Sequence, residues 1–154
     1  MPVNPPKGVQ RITTRIAYED PKAALDFLEK AFAFPERKGM RIENQDGSII
    51  LTEIQIADSY LMIGPAGSHD IASPRTTGCS TESLMIYVDD VDGHFSRAKA
   101  NGATIVSVPA DQYWGDRRYE AKDPEGHLWF FHERTRDVPR EEIEAVEASF
   151  RKSG

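Results

Sequence analysis

The chain has 154 residues, 39% hydrophobic and 29% charged, with a formal net charge of -6, a size and composition that suit one compact domain or two closely packed half-domains. The acidic excess argues against nucleic-acid binding, and the longest apolar run, residues 84–88, is far too short to cross a membrane. Cys79 is the only cysteine, which excludes an intrachain disulfide, and residues 1–8 lack an apolar signal segment, so we expect a soluble, cytoplasmic protein.

The first half of the chain predicts a strand, a helix and three further strands. Residues 11–18 are rich in β-branched and aromatic side chains, which is typical of a strand. Asp20 followed by Pro21 predicts a helix start, and apolar residues then recur at helical spacing. The three later strands are predicted at residues 37–43, 48–56 and 60–63. The unit therefore reads βαβββ.

The second half of the chain repeats this order after a segment rich in Gly, Pro, Ser and Thr, which we interpret as a linker. A helix is predicted to start at Asp90 and to end at Asn101 and Gly102, a pair that suits a left-handed cap. Strands are predicted at residues 83–88, 104–108, 117–121 and 128–132. Since Asp20 and Asp90 hold the same place in the two units, the sequence predicts an internal repeat.

Four segments of this repeat carry a resemblance to a known family. They are residues 18–32, residues 52–63, residues 87–92, and residues 111–117 followed by 123–129. Together they resemble the vicinal oxygen chelate superfamily of glyoxalases, bleomycin resistance proteins and dioxygenases, and within it the PhnB-like subgroup. The resemblance implies an α+β fold in which two βαβββ modules form a cup that holds a divalent metal or an apolar ligand. It also implies a homodimer, because members of this superfamily usually dimerise.

The resemblance and the element order together predict the domain organisation. We expect a tail at residues 1–8 and one domain at residues 9–134, followed by a helical extension at residues 135–154. Within the domain we expect module 1 at 9–65, the linker at 66–80 and module 2 at 81–134. The extension has an apolar stripe of Ile143, Val146 and Phe150 in a helix predicted over 137–152. This stripe is buried either on the chain's own domain or in a dimer interface.

The positions that hold the metal in metal-using relatives carry other residue types in this chain. In those relatives the ligands lie near the start of the first strand of a module, usually as His, and near the end of the fourth strand, as Glu. The matching positions here are Thr13, Ser83 and Phe130, and residues 60–63 also lack His and carboxylates. We therefore expect no metal and no other cofactor, with a divalent metal at a displaced site as the alternative.

The side chains predicted to bind a ligand lie on the inner faces of strands in the second module and in a loop beside them. Strand alternation places Phe130 with His132 on one face, and Met85 with Tyr87 on the inner face of the fifth strand. Such an aromatic wall supports stacking and apolar burial. Trp114 precedes a glycine in a loop and is predicted to close the rim of the pocket.

Charged residues near these positions have two interpretations each. Arg15 is a ligand-binding candidate on the inner face of the first strand, where it needs Glu53 or an anionic ligand as a partner, unless a register shift puts it at the surface. Asp116 or Arg117 either orients a polar group of the ligand or forms a structural corner in which Arg117 pairs with Asp116 or Asp123.

The sequence favours a metal-independent small-molecule binding protein that sequesters an apolar or aromatic compound. The alternative is a lyase, isomerase or dioxygenase with a non-standard metal or acid/base site, for which His132 and Glu53 are weak catalytic candidates. A third possibility is an interaction module whose cup is collapsed. The expected partners are a small molecule and a second copy of the chain, and not nucleic acid or a membrane.

Overall fold

The computed structural model describes residues 1–151 and contains two four-stranded sheets, each with one long helix. The first unit consists of β1 (Arg15–Tyr18), α1 (Pro21–Phe32), β2 (Ile42–Glu43), β3 (Ile49–Ile56) and β4 (Ser59–Pro65). Its strands lie in the order β1-β4-β3-β2, with β1 parallel to β4.

The second unit has the same strand order and the same parallel pair. After the short helix α2 (Pro74–Thr77) it consists of β5 (Ser83–Tyr87), α3 (Val91–Ala100), β6 (Thr104–Asp111), β7 (Asp116–Lys122) and β8 (Leu128–Arg134). The order is β5-β8-β7-β6, with β5 parallel to β8. The predicted α+β fold with two βαβββ modules is therefore confirmed.

Both predicted helix starts are confirmed by their caps. The carboxylates of Asp20 and Asp90 each accept a hydrogen bond from a backbone N–H three residues later, which satisfies one free donor of the first turn. The predicted end of α3 is also confirmed, with Asn101 as the C-cap and Gly102 as the left-handed residue. Asn101 has an ordinary φ of -106°, and Gly102 alone adopts a positive φ.

Two predicted strands are shorter than expected. The first begins only at Arg15, because the residues before it run towards Tyr60, whose backbone N–H and C=O pair with the Gln10 side chain. The strand predicted at 37–43 is reduced to β2, because a turn with Gly39 at positive φ interrupts it.

The core lies between the helices and one side of both sheets. Phe32 and Phe34 at the end of α1 contact Trp129 and Phe131 of β8, so the aromatic rings of the two units pack into one cluster. Arg97 of α3 also donates to carbonyls at the end of α1. The core therefore buries the helix-facing side of each sheet and leaves the opposite side as its inner face.

The two units are also joined by the turn that connects β7 to β8. Asp123 accepts a hydrogen bond from the Tyr18 hydroxyl at 2.7 Å, and burial raises the pKa of both groups. Glu125 accepts from the backbone N–H of Glu19 and Asp20 just before α1. These buried contacts fix the orientation of the second sheet relative to the first.

The C-terminal helix α4 (Arg140–Arg151) follows β8, and none of its residues is fully buried. Ile143 and Val146 are half-buried, and Phe150 packs edge-to-face on Tyr113. The predicted last residue of this helix, Lys152, lies outside the described residues. No helix in residues 1–151 is both long and apolar enough to cross a membrane.

Candidate functional site

The inner face of the second sheet brings together four of the predicted ligand-binding residues. Met85 on β5 lies directly opposite Phe130 on β8, and Tyr87 lies opposite His132. We call this surface the second inner face; on β7 it continues with Asp116, Arg118 and Glu120. The alternation predicted from the sequence therefore has the correct register in this sheet.

The second inner face is open in a single chain. Met85 is 63% exposed and Tyr87 is 54% exposed, although both are large side chains on β5, an edge strand of this sheet. Both line a cleft of about 320 Å³ between β5 and the turn from β3 to β4. The cleft reaches neither Phe130 nor Trp114, so a ligand on those rings would lie on an open surface.

A cation lies over two aromatic rings of this surface. The Arg118 guanidinium is 5.4 Å from the centre of the Trp114 ring and 5.3 Å from the centre of the Phe130 ring. It also donates to Glu120 at 3.0 Å. Sequence reasoning missed Arg118, because only the pairing of β7 with β8 places it opposite His132.

The loop before β7 positions Trp114 and Asp116 at the edge of this face, and Gly115 makes that loop possible. Gly115 has a φ of 102°, and a Cβ atom there would lie 2.2 Å from the Arg136 carbonyl oxygen. The Gly115 carbonyl in turn accepts from the backbone N–H groups of Thr135 and Arg136. The chain after β8 therefore holds this loop in place.

Asp116 is the centre of a buried hydrogen-bond cluster. Its carboxylate is 1% exposed and accepts from the Tyr87 hydroxyl at 2.8 Å and from the Trp114 indole at 2.8 Å. It also accepts from His132 Nδ1 at 3.1 Å and from Arg134 at 3.0 Å. All four donors therefore share the Asp116 carboxylate as their acceptor.

The electrostatics of this cluster favour an ionised Asp116 and a neutral Tyr87. Burial opposes ionisation of Asp116, but hydrogen bonds from Tyr87, Trp114 and His132, with the nearby charge of Arg134, hold the pKa of the carboxyl below its usual range. The hydrogen bond to Asp116, followed by partial burial, raises the pKa of the Tyr87 phenol. The phenol thus remains a donor at neutral pH.

The structure corrects the carboxylate partner expected for His132. Glu53 lies on the first sheet, where it forms an ion pair with Arg37, so it is not next to His132. The carboxylate that contacts His132 is Asp116. Asp116 is already a candidate from the sequence. The sequence does not indicate the strand register that places Asp116 next to His132.

The inner face of the first sheet, which we call the first inner face, carries Arg15, Glu53, Tyr60, Met62 and Gly64. Arg15 lies on this face as predicted, with its guanidinium flat against Gly64. Its expected pairing with Glu53 is wrong, because Glu53 pairs with Arg37 instead. Within residues 1–151, the Arg15 Nε atom is fully enclosed and has no hydrogen-bond partner.

Arg117 does not lie on the second inner face. Strand alternation points it towards the helix side, where it pairs with Asp92 at 2.9 Å and with Asp111 at 3.1 Å. The predicted pairing of Arg117 with Asp116 or Asp123 is therefore wrong. Of the two adjacent charged residues, only Asp116 belongs to the candidate site.

The residues at the family's metal positions do not fit a divalent metal. Thr13 and Ser83 offer only hydroxyl groups, and Phe130 offers a ring that lies beside a guanidinium. Within residues 1–151, no group of three His, Cys, Asp or Glu side chains is arranged to hold a metal ion. These three positions therefore do not supply a ligand set for a divalent metal.

The chain is similar in sequence to two uncharacterized mycobacterial proteins. The chain is 32% identical over 143 residues to an uncharacterized protein of Mycobacterium bovis, a match that covers 90% of this chain and 92% of the relative. An uncharacterized protein of Mycobacterium tuberculosis matches at the same identity, with 90% of this chain and 82% of the relative covered.

Solved structures show the same fold. TioX from Micromonospora sp. ML1 matches with a TM-score of 0.65 at 30% identity, covering 84% of this chain and 100% of TioX. A glyoxalase/bleomycin resistance protein/dioxygenase family enzyme from Burkholderia phytofirmans PsJN matches with a TM-score of 0.61 at 19% identity, covering 79% and 96%. The PhnB-like subgroup stays a prediction. Because the family's sequence model matches residues 9–131, the chain belongs to the Glyoxalase/Bleomycin resistance protein/Dioxygenase superfamily.

Proposed function

We propose that the protein binds and sequesters an apolar or aromatic small molecule on its second inner face, without a metal. The observation that carries this proposal is the Arg118 guanidinium over the rings of Trp114 and Phe130, next to the exposed Met85 and Tyr87. Membership of a family that includes bleomycin resistance proteins supports the same class of function.

The side chains of this face suit a flat ligand. Each large apolar group that a ligand covers contributes about 1.5–3 kcal/mol, and a well-placed aromatic pair adds about 0.5–1.5 kcal/mol. Arg118 is already desolvated on one side by two rings, so it favours a ligand with an electron-rich ring or an anionic substituent. Asp116 cannot serve such a ligand directly, because its oxygens are occupied by four donors.

A second copy of the chain is the proposed cover of this face. Exposed apolar side chains lie at both edges of this sheet, namely Met85 and Tyr87 on β5 and Val106 and Val108 on β6. Large exposed apolar patches usually mark interaction sites. Sedimentation analysis of the purified chain tests this point, and a monomer at all concentrations would contradict it.

Arg15 could contact the ligand only from a second copy of the chain. Within residues 1–151, the backbone of β1 lies beside α1 and β4 and not beside any strand of the second sheet, so one chain does not bring Arg15 next to Phe130. An unpaired guanidinium on an inner face suits a carboxylate or sulfonate group of a ligand held between two copies. Arg15 is thus proposed as the anchor for an anionic substituent.

Titration with anilinonaphthalene sulfonate, a fluorescent aromatic anion, tests the proposed function. We expect Phe130→Ala to weaken binding about tenfold or more, which corresponds to about 1.4 kcal/mol. Ile50→Ala, which removes an exposed apolar side chain from β3, is the matched control and should leave binding unchanged. Equal affinity of the wild type and Phe130→Ala would contradict the proposal.

A further inference from the structure

The hydrogen bond between His132 and Asp116 fixes the tautomer of the imidazole. Asp116 accepts at 3.1 Å from Nδ1, and an ionised carboxylate has no proton to give, so Nδ1 carries the hydrogen. In the neutral ring the other nitrogen, Nε2, then holds a free electron pair. Asp116 is itself held by Tyr87, Trp114 and Arg134, so the ring has a fixed acceptor behind it.

The Nε2 atom of His132 is available to a ligand. Although His132 is only 3% exposed, its Nε2 forms no hydrogen bond within residues 1–151 and retains some exposure, since Arg15 Nε is the one fully enclosed side-chain nitrogen or oxygen without a partner there. The His132 ring lies 5.5 Å from the Tyr87 ring and 6.4 Å from the Trp114 ring, measured between centres. An unoccupied base therefore lies beside the aromatic surface.

We propose that His132 is a metal-free general base, whose Nε2 accepts a proton from a carbon or oxygen acid bound on the second inner face. The proposal rests on the proposed function, because the aromatic surface must first hold the ligand. Asp116 is the positioning residue: it keeps Nδ1 protonated and stabilises the imidazolium that forms. The charged and titratable groups facing the ring are Asp116, Tyr87, Arg118 and Arg134.

Nitrobenzisoxazole is a suitable probe, because its ring-opening needs only a base next to an aromatic surface. His132 Nε2 takes the proton from the ring carbon, and the electron pair of that C–H bond forms the nitrile. The N–O bond breaks at the same time, and its electron pair moves to the phenolate oxygen. The imidazolium then returns its proton to water, so atoms and electrons balance.

The experiment compares ring-opening rates, followed by the absorbance of the nitrophenolate. General bases contribute about 10²–10⁴-fold, so we expect His132→Gln to lower the rate at least tenfold. His69→Gln, which removes an exposed imidazole from a loop, should leave it unchanged.

Two further measurements separate this proposal from the proposed function. Long-range proton–nitrogen correlation spectra of the wild type report the tautomer without any variant, and a neutral His132 protonated at Nε2 would overturn the proposal. Nitrobenzotriazole, a stable analogue of the probe, reports binding alone. If the analogue binds but the ring-opening rate does not depend on His132, the general-base proposal is overturned and the proposed function stands. If the analogue does not bind, both proposals are overturned.

Discussion

The two inner faces arise from the same βαβββ order and the same strand pairing, yet only one is open. On the first inner face, Glu53 is 5% exposed and Tyr60 is 6% exposed, and Arg37 lies between them as ion-pair partner and cation over the ring. On the second, Met85 and Tyr87 are more than half exposed. The repeat thus preserves the strand pairing, while the exposure of the two inner faces differs.

The difference has a local cause at the edges of the sheets. In the first unit, the backbone of Arg37 pairs with that of Glu53, so residues just before β2 follow β3 closely. Gln10 adds further hydrogen bonds to Tyr60. The second unit has the Trp114 loop at its rim instead, and that loop orders Asp116 without covering Met85.

The largest expected effect comes from disrupting the rim of the second inner face. Gly115→Ala should lower the free energy of unfolding by about 3 kcal/mol, because it adds a collision with backbone to a strained φ. Gly67→Ala, at a similar positive φ but with open space around it, should cost only about 1 kcal/mol. Urea unfolding measures the free energy of unfolding of both variants. Equal losses would show that the Gly115 loop rearranges to accept the added Cβ atom and would contradict this prediction.

The next effect tests whether the first inner face is closed by its own ion pair. Glu53→Gln should destabilise the chain by about 2 kcal/mol, since it leaves the partly buried Arg37 without an ionic partner. Glu43→Gln removes an exposed partner of Arg41 and should change stability by less than about 0.5 kcal/mol. Similar small losses of stability in both variants would contradict the claim that this ion pair closes the first inner face.

A smaller effect, of about 1–2 kcal/mol at neutral pH, is expected for Asp116→Asn. Because the folded state holds the pKa of Asp116 below its unfolded value, the carboxylate contributes stability above that unfolded value, near about pH 3.9. This contribution is lost as the pH falls through the lower folded pKa. The difference between wild type and variant, measured by denaturant unfolding across pH, should therefore shrink in acid; a constant difference would mean that charge plays no part.

The smallest effect is expected at Arg15. Arg15→Met should leave stability within about 0.5 kcal/mol of the wild type or raise it, because the enclosed Nε loses no partner. Arg37→Met, on the same face, should instead destabilise, because it leaves Glu53 buried and unpaired. Thermal unfolding of the two variants distinguishes these outcomes, and a strongly destabilised Arg15→Met would reveal a partner for this guanidinium.

The sequence predicts the fold of this chain much better than its site. Asp20, Pro21 and Asp90 mark the helix starts through local capping chemistry, which needs no knowledge of distant contacts. Alternation along single strands correctly pairs Phe130 with His132 on one face. Local patterns are therefore enough to predict the order of the elements and the sheet face on which a side chain lies.

The contacts between strands could not be predicted in the same way. Asp116 and His132 meet only because β7 and β8 pair in one register, and Arg118 reaches two rings for the same reason. Glu53 lies on the first sheet, where it pairs with Arg37, a residue in a segment predicted as a regular strand. Side-chain partners depend on register and loop geometry, and one sequence leaves several arrangements open.

Mapping a bound aromatic ligand onto the backbone tests the central claim most directly. Amide chemical shifts would be recorded during titration with anilinonaphthalene sulfonate. The account predicts that the largest shifts fall on β5, β7 and β8, around Met85, Arg118 and Phe130. Shifts confined to β3 and β4, or spread evenly over the chain, would contradict a binding site on the second inner face.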